Sequence, residues 1–164
     1  MKSTKLNLLK SMIPKAVLLP LTKEASNAIV KGPCQNDIIP MMDFPFRIGR
    51  ESRLGKNDTG IFLKLRLLNV SIPNNDLYLI NDKKDLQISK EHFQIEKKEN
   101  CYFLTDRGST NGTTINGLTL GGDKKTFTKE LKDGDIIKIG NDSSIFKYHF
   151  LILEDIKLQE DVKD

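Results

Sequence analysis

A chain of 164 residues, 38% hydrophobic and 29% charged, is long enough for one domain whose core needs neither disulfide nor metal. Two cysteines, Cys34 and Cys101, are too few and too far apart for a disulfide framework or a zinc site, and they read as reduced thiols of a cytoplasmic protein. No apolar run approaches the roughly 18 residues of a membrane span, and Lys5, Lys10 and Lys15 interrupt the start too often for a signal peptide. The net charge of +4 is uneven. Residues 1–36 hold six lysines against Glu24, whereas the last eleven hold five acids and two lysines. Few aromatics, no tryptophan and no basic cluster on a recognisable helix disfavour a nucleic-acid partner, and solvated charge accounts for most of the lysines.

In chain order, residues 1–15 read as a polar, basic leader with no clear period. Ala16 to Leu21 is a short apolar run interrupted by Pro20, the first candidate strand. Residues 22–36 allow a helical turn or a loop, ended by Gly32-Pro33. Asp43 to Arg50 alternates Phe44, Phe46 and Ile48 against Pro45 and Arg47, the pattern of a half-buried strand running into Gly49. Residues 51–60, charged and glycine-containing, predict a loop; residues 61–70 alternate as an amphipathic strand, and Ser71 to Asp76 is turn chemistry. From Leu77 on, candidate strands are short and closely spaced: 77–80, 92–95, 101–104, 136–139 and 148–153, with a turn at Asp133-Gly134. Turn signals every eight to twelve residues predict an all-β fold, an antiparallel sandwich or a barrel. The charged tail, 154–164, predicts a frayed end or a helical turn.

The stretch DRGSTNGTTING, Asp106 to Gly117, organises the rest. Asn111-Gly112 and Asn116-Gly117 mark two tight turns around a β-branched Thr-Thr-Ile strand. Three groups then gather at strand–loop junctions: Gly49-Arg50, Ser89 to His92, and Ser109 to Asn111. Loops collect at the ends of a sandwich, so these groups can converge on one spot. They offer a guanidinium, hydroxyls, a side-chain amide and backbone N–H groups, with no acid among the contacting groups singled out. A dianion is the natural guest. No nucleophile is paired with a base at sensible spacing, so the chain reads as non-catalytic, and the same residues suggest no metal, cofactor or small-molecule ligand.

FRIGR, SKEHFQI, DRGSTNGTTING and LKDGDIIKIG, in that order, closely resemble the forkhead-associated (FHA) domain, a phosphothreonine-binding β-sandwich. The resemblance covers residues 44–153 and implies a domain over 16–153. The short architecture is similar to stand-alone bacterial members. By that resemblance the phosphopeptide-binding residues are Arg50 and Ser89 on the phosphate, Thr110 on the phosphate or bracing its loop, and Asn111 on the peptide backbone. Gly49, His92 and Gly112 support the site structurally, His92 by bracing the loops. Lys90 stands beside Ser89, where relatives carry another phosphate-contacting residue, and becomes a point-charge contact.

Phosphothreonine carries about −1.5 to −2 charges, and a forked guanidinium suits it better than an ammonium. Preference over phosphoserine rests on one methyl group, worth only about 0.8 kcal/mol by burial. The chain departs from the family pattern in having 38 residues between Arg50 and Ser89, the excess forming an insertion at about 53–75. Its Arg53, Lys56, Lys64 and Arg66 either widen an anion-binding surface or keep a loop soluble. The implied partner is a protein phosphorylated on threonine by a Ser/Thr kinase. The alternative is a scaffold of the same fold that binds without phosphate.

Overall fold

A computed structural model describes residues 2–30, 37–63, 74–81 and 85–156. The apolar alternation of the sequence places thirteen strands among them, most of them in two sheets packed face to face. In chain order come helix α1 (Lys2–Met12), strand β1 (Ala16–Pro20), helix α2 (Lys23–Asn27), β2 (Ile39–Met41) and β3 (Phe46–Arg50). Next are β4 (Leu54–Asn57), β5 (Gly60–Leu63) and β6 (Leu77–Leu79), then β7 (Phe93–Lys98), β8 (Cys101–Arg107), β9 (Thr113–Ile115) and β10 (Leu118–Leu120). The series ends with β11 (Thr126–Leu131), β12 (Ile136–Ile139) and β13 (Lys147–Ile152). One sheet has the order β10-β9-β12-β13-β1-β2 and the other β11-β8-β7-β3-β6. All pairs are antiparallel except β3 with β6, so the expected antiparallel sandwich carries one parallel edge.

The core lies between the sheets. Leu18, Met41, Phe150 and Ile137 from one face meet Ile48, Phe93, Ile95 and Leu104 from the other. Tyr102 packs edge-on against Phe44 and Phe150 at centroid distances of 5.3 and 5.5 Å, a geometry worth about 0.5–1.5 kcal/mol per pair beyond burial. Tyr148 is buried too, and its hydroxyl donates to the Ala25 carbonyl (3.0 Å), fastening α2 to the sandwich. Thr22 caps α2: its Oγ1 accepts from the Ala25 N–H and donates to the Ile145 carbonyl.

Residues 1–15, read as a basic leader without clear period, contain the helix α1. One sequence reading needs correction. Residues 51–60, read as a loop, hold β4 and the start of β5, a separate hairpin with Asn57 paired to Gly60. There Asn57 Oδ1 accepts from both the N–H and the hydroxyl of Thr59, closing a polar turn that masked the flanking strands. The strand expected over 61–70 is described only to Leu63, and the rest of the insertion to residue 73 lies outside the described residues.

Of the two Asn-Gly pairs, Asn116-Gly117 makes a tight hairpin turn with φ of 51° and 85°, joining β9 to β10. The first pair does different work. Only Gly112 is left-handed (φ 75°), and the loop it ends carries the chain from β8 in one sheet to β9 in the other.

Candidate functional site

The site is built where β3, β8 and β12 end and β9 begins, so that three loops meet at one pole. Arg50 closes β3. Its backbone N–H donates to the Ser89 carbonyl (2.9 Å) and its side-chain Nε to the Ile88 carbonyl (2.9 Å). Its two terminal nitrogens form no ion pair or hydrogen bond among the described residues. Ser89 Oγ accepts the Thr110 N–H at 3.0 Å, which leaves the Ser89 hydroxyl hydrogen free to donate. Asn111 Nδ2 donates to the Leu86 carbonyl (3.0 Å), tying the same two loops a second time. Arg50, Ser89, Thr110 and Asn111 are therefore brought together. Thr110 is exposed, and Lys90 is exposed with an ammonium that has no partner among the described residues.

His92 is fully buried and stands behind this surface. Its Nδ1 accepts the Ser89 N–H (2.9 Å), and its Nε2 lies 2.8 Å from the Gly112 carbonyl. A carbonyl only accepts, so Nε2 carries the hydrogen and the ring is the neutral tautomer. Burial holds its pKa below the ordinary histidine value, against the Gly112 hydrogen bond and the charge of Asp106, which pull it up. The ring links the Ser89 loop to the Gly112 loop. It is a brace.

Gly49 is required by close approach. A Cβ there would run into the Lys90 carbonyl oxygen and come within 2.6 Å of Asn75 Nδ2. Gly112 combines a left-handed φ with a Cβ position 2.7 Å from the Leu120 carbonyl. Both glycines let backbones pack where side chains would separate the loops.

Sequence reasoning missed the deepest anchor. Asp106, 1% exposed, accepts from the Gly108 and Ser109 N–H groups through Oδ1 (3.0 and 2.7 Å). Its Oδ2 accepts from the Ser109 and Thr113 hydroxyls (2.8 and 2.9 Å). Ser109 Oγ in turn accepts the Gly112 N–H at 2.9 Å. One carboxylate thus shapes the whole loop beneath Thr110 and Asn111. The available signal was an Asp followed two to three residues later by Gly and Ser, the pattern of a side chain capping its own turn. Asn75, read only as turn chemistry, donates to the Lys90 carbonyl (2.8 Å) and accepts from Arg107 Nη1 (2.7 Å). Arg107 also pairs with Glu91 at 3.2 Å, so the loop bearing Ser89 is held from below.

Among the insertion's cations, Arg53 is engaged by the buried carboxylate of Glu51, with Nε–Oε1 at 2.9 Å and Nη2–Oε2 at 2.6 Å. It belongs to the hairpin's own anchoring. Lys64 and Arg66 lie outside the described residues.

The FHA domain family matches residues 46–140, which is more than half of the chain and takes in every site group above. The chain belongs to the FHA domain family. An FHA domain-containing protein of Arabidopsis thaliana is 42% identical over 62 residues, covering 38% of this chain and 15% of that protein. The solution structure of an FHA domain from an Arabidopsis thaliana hypothetical protein superposes with a TM-score of 0.51 at 22% identity, covering 90% of this chain and 92% of that one. An engineered FHA domain with a Myc-pTBD peptide gives 0.53 at 20% identity, over 86% and 93% of the two chains. Mycobacterium tuberculosis EmbR, in complex with a low-affinity phosphopeptide, gives 0.51 at 17% identity, over 95% of this chain and 30% of that one. At these identities the structural likenesses are likenesses of fold, an FHA β-sandwich.

Proposed function

We propose that this FHA domain is a non-catalytic adaptor that binds phosphothreonine peptides through Arg50, Ser89, Lys90, Thr110 and Asn111. The observation that carries the reading is the state of Arg50. Its Nε is held on the Ile88 carbonyl while the rest of the guanidinium faces no carboxylate among the described residues. A partly buried cation held rigid and unpaired is suited to a doubly charged anion. The Ser89 hydroxyl and the exposed Thr110 side chain supply further donors to the same phosphate, and Lys90 adds a point charge. Asn111 retains its Oδ1 and one amide hydrogen for the backbone of an extended peptide. Support from fold relatives is that two of them, the engineered FHA domain and EmbR, are bound to peptides, the latter named as a phosphopeptide. The setting is cytoplasmic, with a Ser/Thr kinase supplying the mark on the partner protein.

The test is binding to a degenerate phosphothreonine peptide library beside its unphosphorylated and phosphoserine versions. Phosphate-dependent binding should fall at least about 150-fold in Arg50→Ala, since two charge-assisted bonds of roughly 1.5–3 kcal/mol each are removed. Arg50→Lys, which keeps the charge and loses the fork, should recover only part of it. Equal binding to all three peptide versions by the folded protein would leave the phosphate-independent scaffold as the better reading.

A further inference from the structure

The loop that carries Ser89 also carries a carboxylate that phosphate binding does not use. Asp85 is exposed and forms no ion pair among the described residues, yet its side chain is fixed. Gln87, only 4% exposed, donates from Nε2 to Asp85 Oδ2 at 2.6 Å, and its backbone N–H donates to the Asp85 carbonyl at 3.1 Å. Gln87 is held in turn, since its Oε1 accepts the Asn141 N–H at 3.2 Å. Position 140 is a glycine, and a Cβ there would run into that same Oε1. A buried amide, costly to bury unless its hydrogen bonds are met, is thus spent on aiming an exposed carboxylate. One oxygen of Asp85 is bound to Gln87, and Oδ1 stays open.

The neighbour of Asp85 places that carboxylate at the rim of the site. Leu86 offers its carbonyl to Asn111 Nδ2 at 3.0 Å, so the residue next to Asp85 touches the side chain assigned to the peptide backbone. The Leu86 side chain is 47% exposed, an apolar surface at the same rim. Apolar surface next to a fixed carboxylate suits one kind of side chain. Arginine and lysine lay a methylene stem on apolar surface and keep a cationic head in water, and the arginine fork matches a carboxylate best. A glutamate there would set like charges together, so the same aspartate that attracts a basic peptide rejects an acidic one. We infer, on the footing of the phosphothreonine reading above, that Asp85 and Leu86 select a basic residue, arginine before lysine, in the stretch of peptide that passes Asn111. The partner class narrows to proteins whose phosphothreonine lies close to an arginine or lysine.

The test uses the full chain and phosphothreonine peptides in which Arg, Gln or Glu stands in turn at each position within about four residues of the phosphothreonine, roughly 13 Å of extended chain. At about 50 mM salt, one position should bind Arg about fivefold more tightly than Gln, and Gln more tightly than Glu, with the gap shrinking as salt rises. Asp85→Asn keeps an oxygen for Gln87 Nε2, so Tm should hold while the Arg peptide falls to the level of the Gln peptide. Asp85→Lys should reverse the order and favour Glu. Phosphate-dependent binding without an Arg preference at any position would overturn the inference and leave the phosphothreonine reading standing. So would a preference that survives in Asp85→Asn. Binding that ignores the phosphate, or no binding by the folded protein, would remove both.

Discussion

Removing the Asp106 carboxylate tests whether one buried acid builds the loop that presents Thr110 and Asn111. Asp106→Ala strips the acceptor from four donors: two backbone N–H groups and two hydroxyls. Gly108 is only half-buried and can turn to water, but Ser109 and Thr113 are fully buried. Each buried donor left unpaired costs about 1–3 kcal/mol, and water entering the vacated space recovers part of that. The expected loss is therefore roughly 3–5 kcal/mol, or a fall in Tm of about 6–20 °C for a domain of this size. Asp106→Asn keeps an oxygen for the two N–H groups and turns an amide toward two hydroxyls that can rotate to accept, so it should lose only about 1–2 kcal/mol. Urea titration followed by far-UV circular dichroism measures both, since the chain has no tryptophan. A change below about 0.5 kcal/mol in Asp106→Ala would refute the argument, because the loop would then owe its shape to something other than this carboxylate.

The buried neutral His92 sets a pH dependence of known sign. Its folded pKa lies below the unfolded value of about 6.5, so the unfolded chain binds more protons and stability falls as pH drops below that value. The drop in urea midpoint between about pH 7.5 and pH 5.5 should be smaller in His92→Gln than in the wild type; an equal drop would contradict the assignment. Gly49→Ala drives a Cβ into the Lys90 carbonyl, backbone that cannot swing away. It should destabilise by about 2–3 kcal/mol and displace the Ser89 loop, seen as loss of phosphopeptide binding even where the protein remains folded. Asn75→Ala removes one bond to Lys90 and one from Arg107, and should cost roughly 1–3 kcal/mol by the same denaturation assay.

Much of this architecture was legible in the chain itself. Alternation placed β3 and β7 close to where they lie, because a strand with one buried face must repeat every two residues, and short apolar runs bounded by turn residues placed β1, β8, β12 and β13. Asn116-Gly117 read as a hairpin turn because local sterics alone favour φ > 0 at those residues. The site residues were nominated by motif order, and the loops do bring Arg50, Ser89, Thr110 and Asn111 together. What sequence could not supply was how distant segments answer one another. The carboxylate of Asp106 and the amide of Asn75 became anchors only when buried next to donors and acceptors from other loops, and pairing between segments leaves no periodic trace. The His92 tautomer depends on Ser89 on one side and Gly112, twenty residues away, on the other. Tertiary structure also took Arg53 out of the anion surface, since Glu51 is buried beneath it. Local backbone preference and apolar spacing wrote the strands into the sequence, whereas the state of each polar group was decided by which partners folding placed within about 3 Å of it.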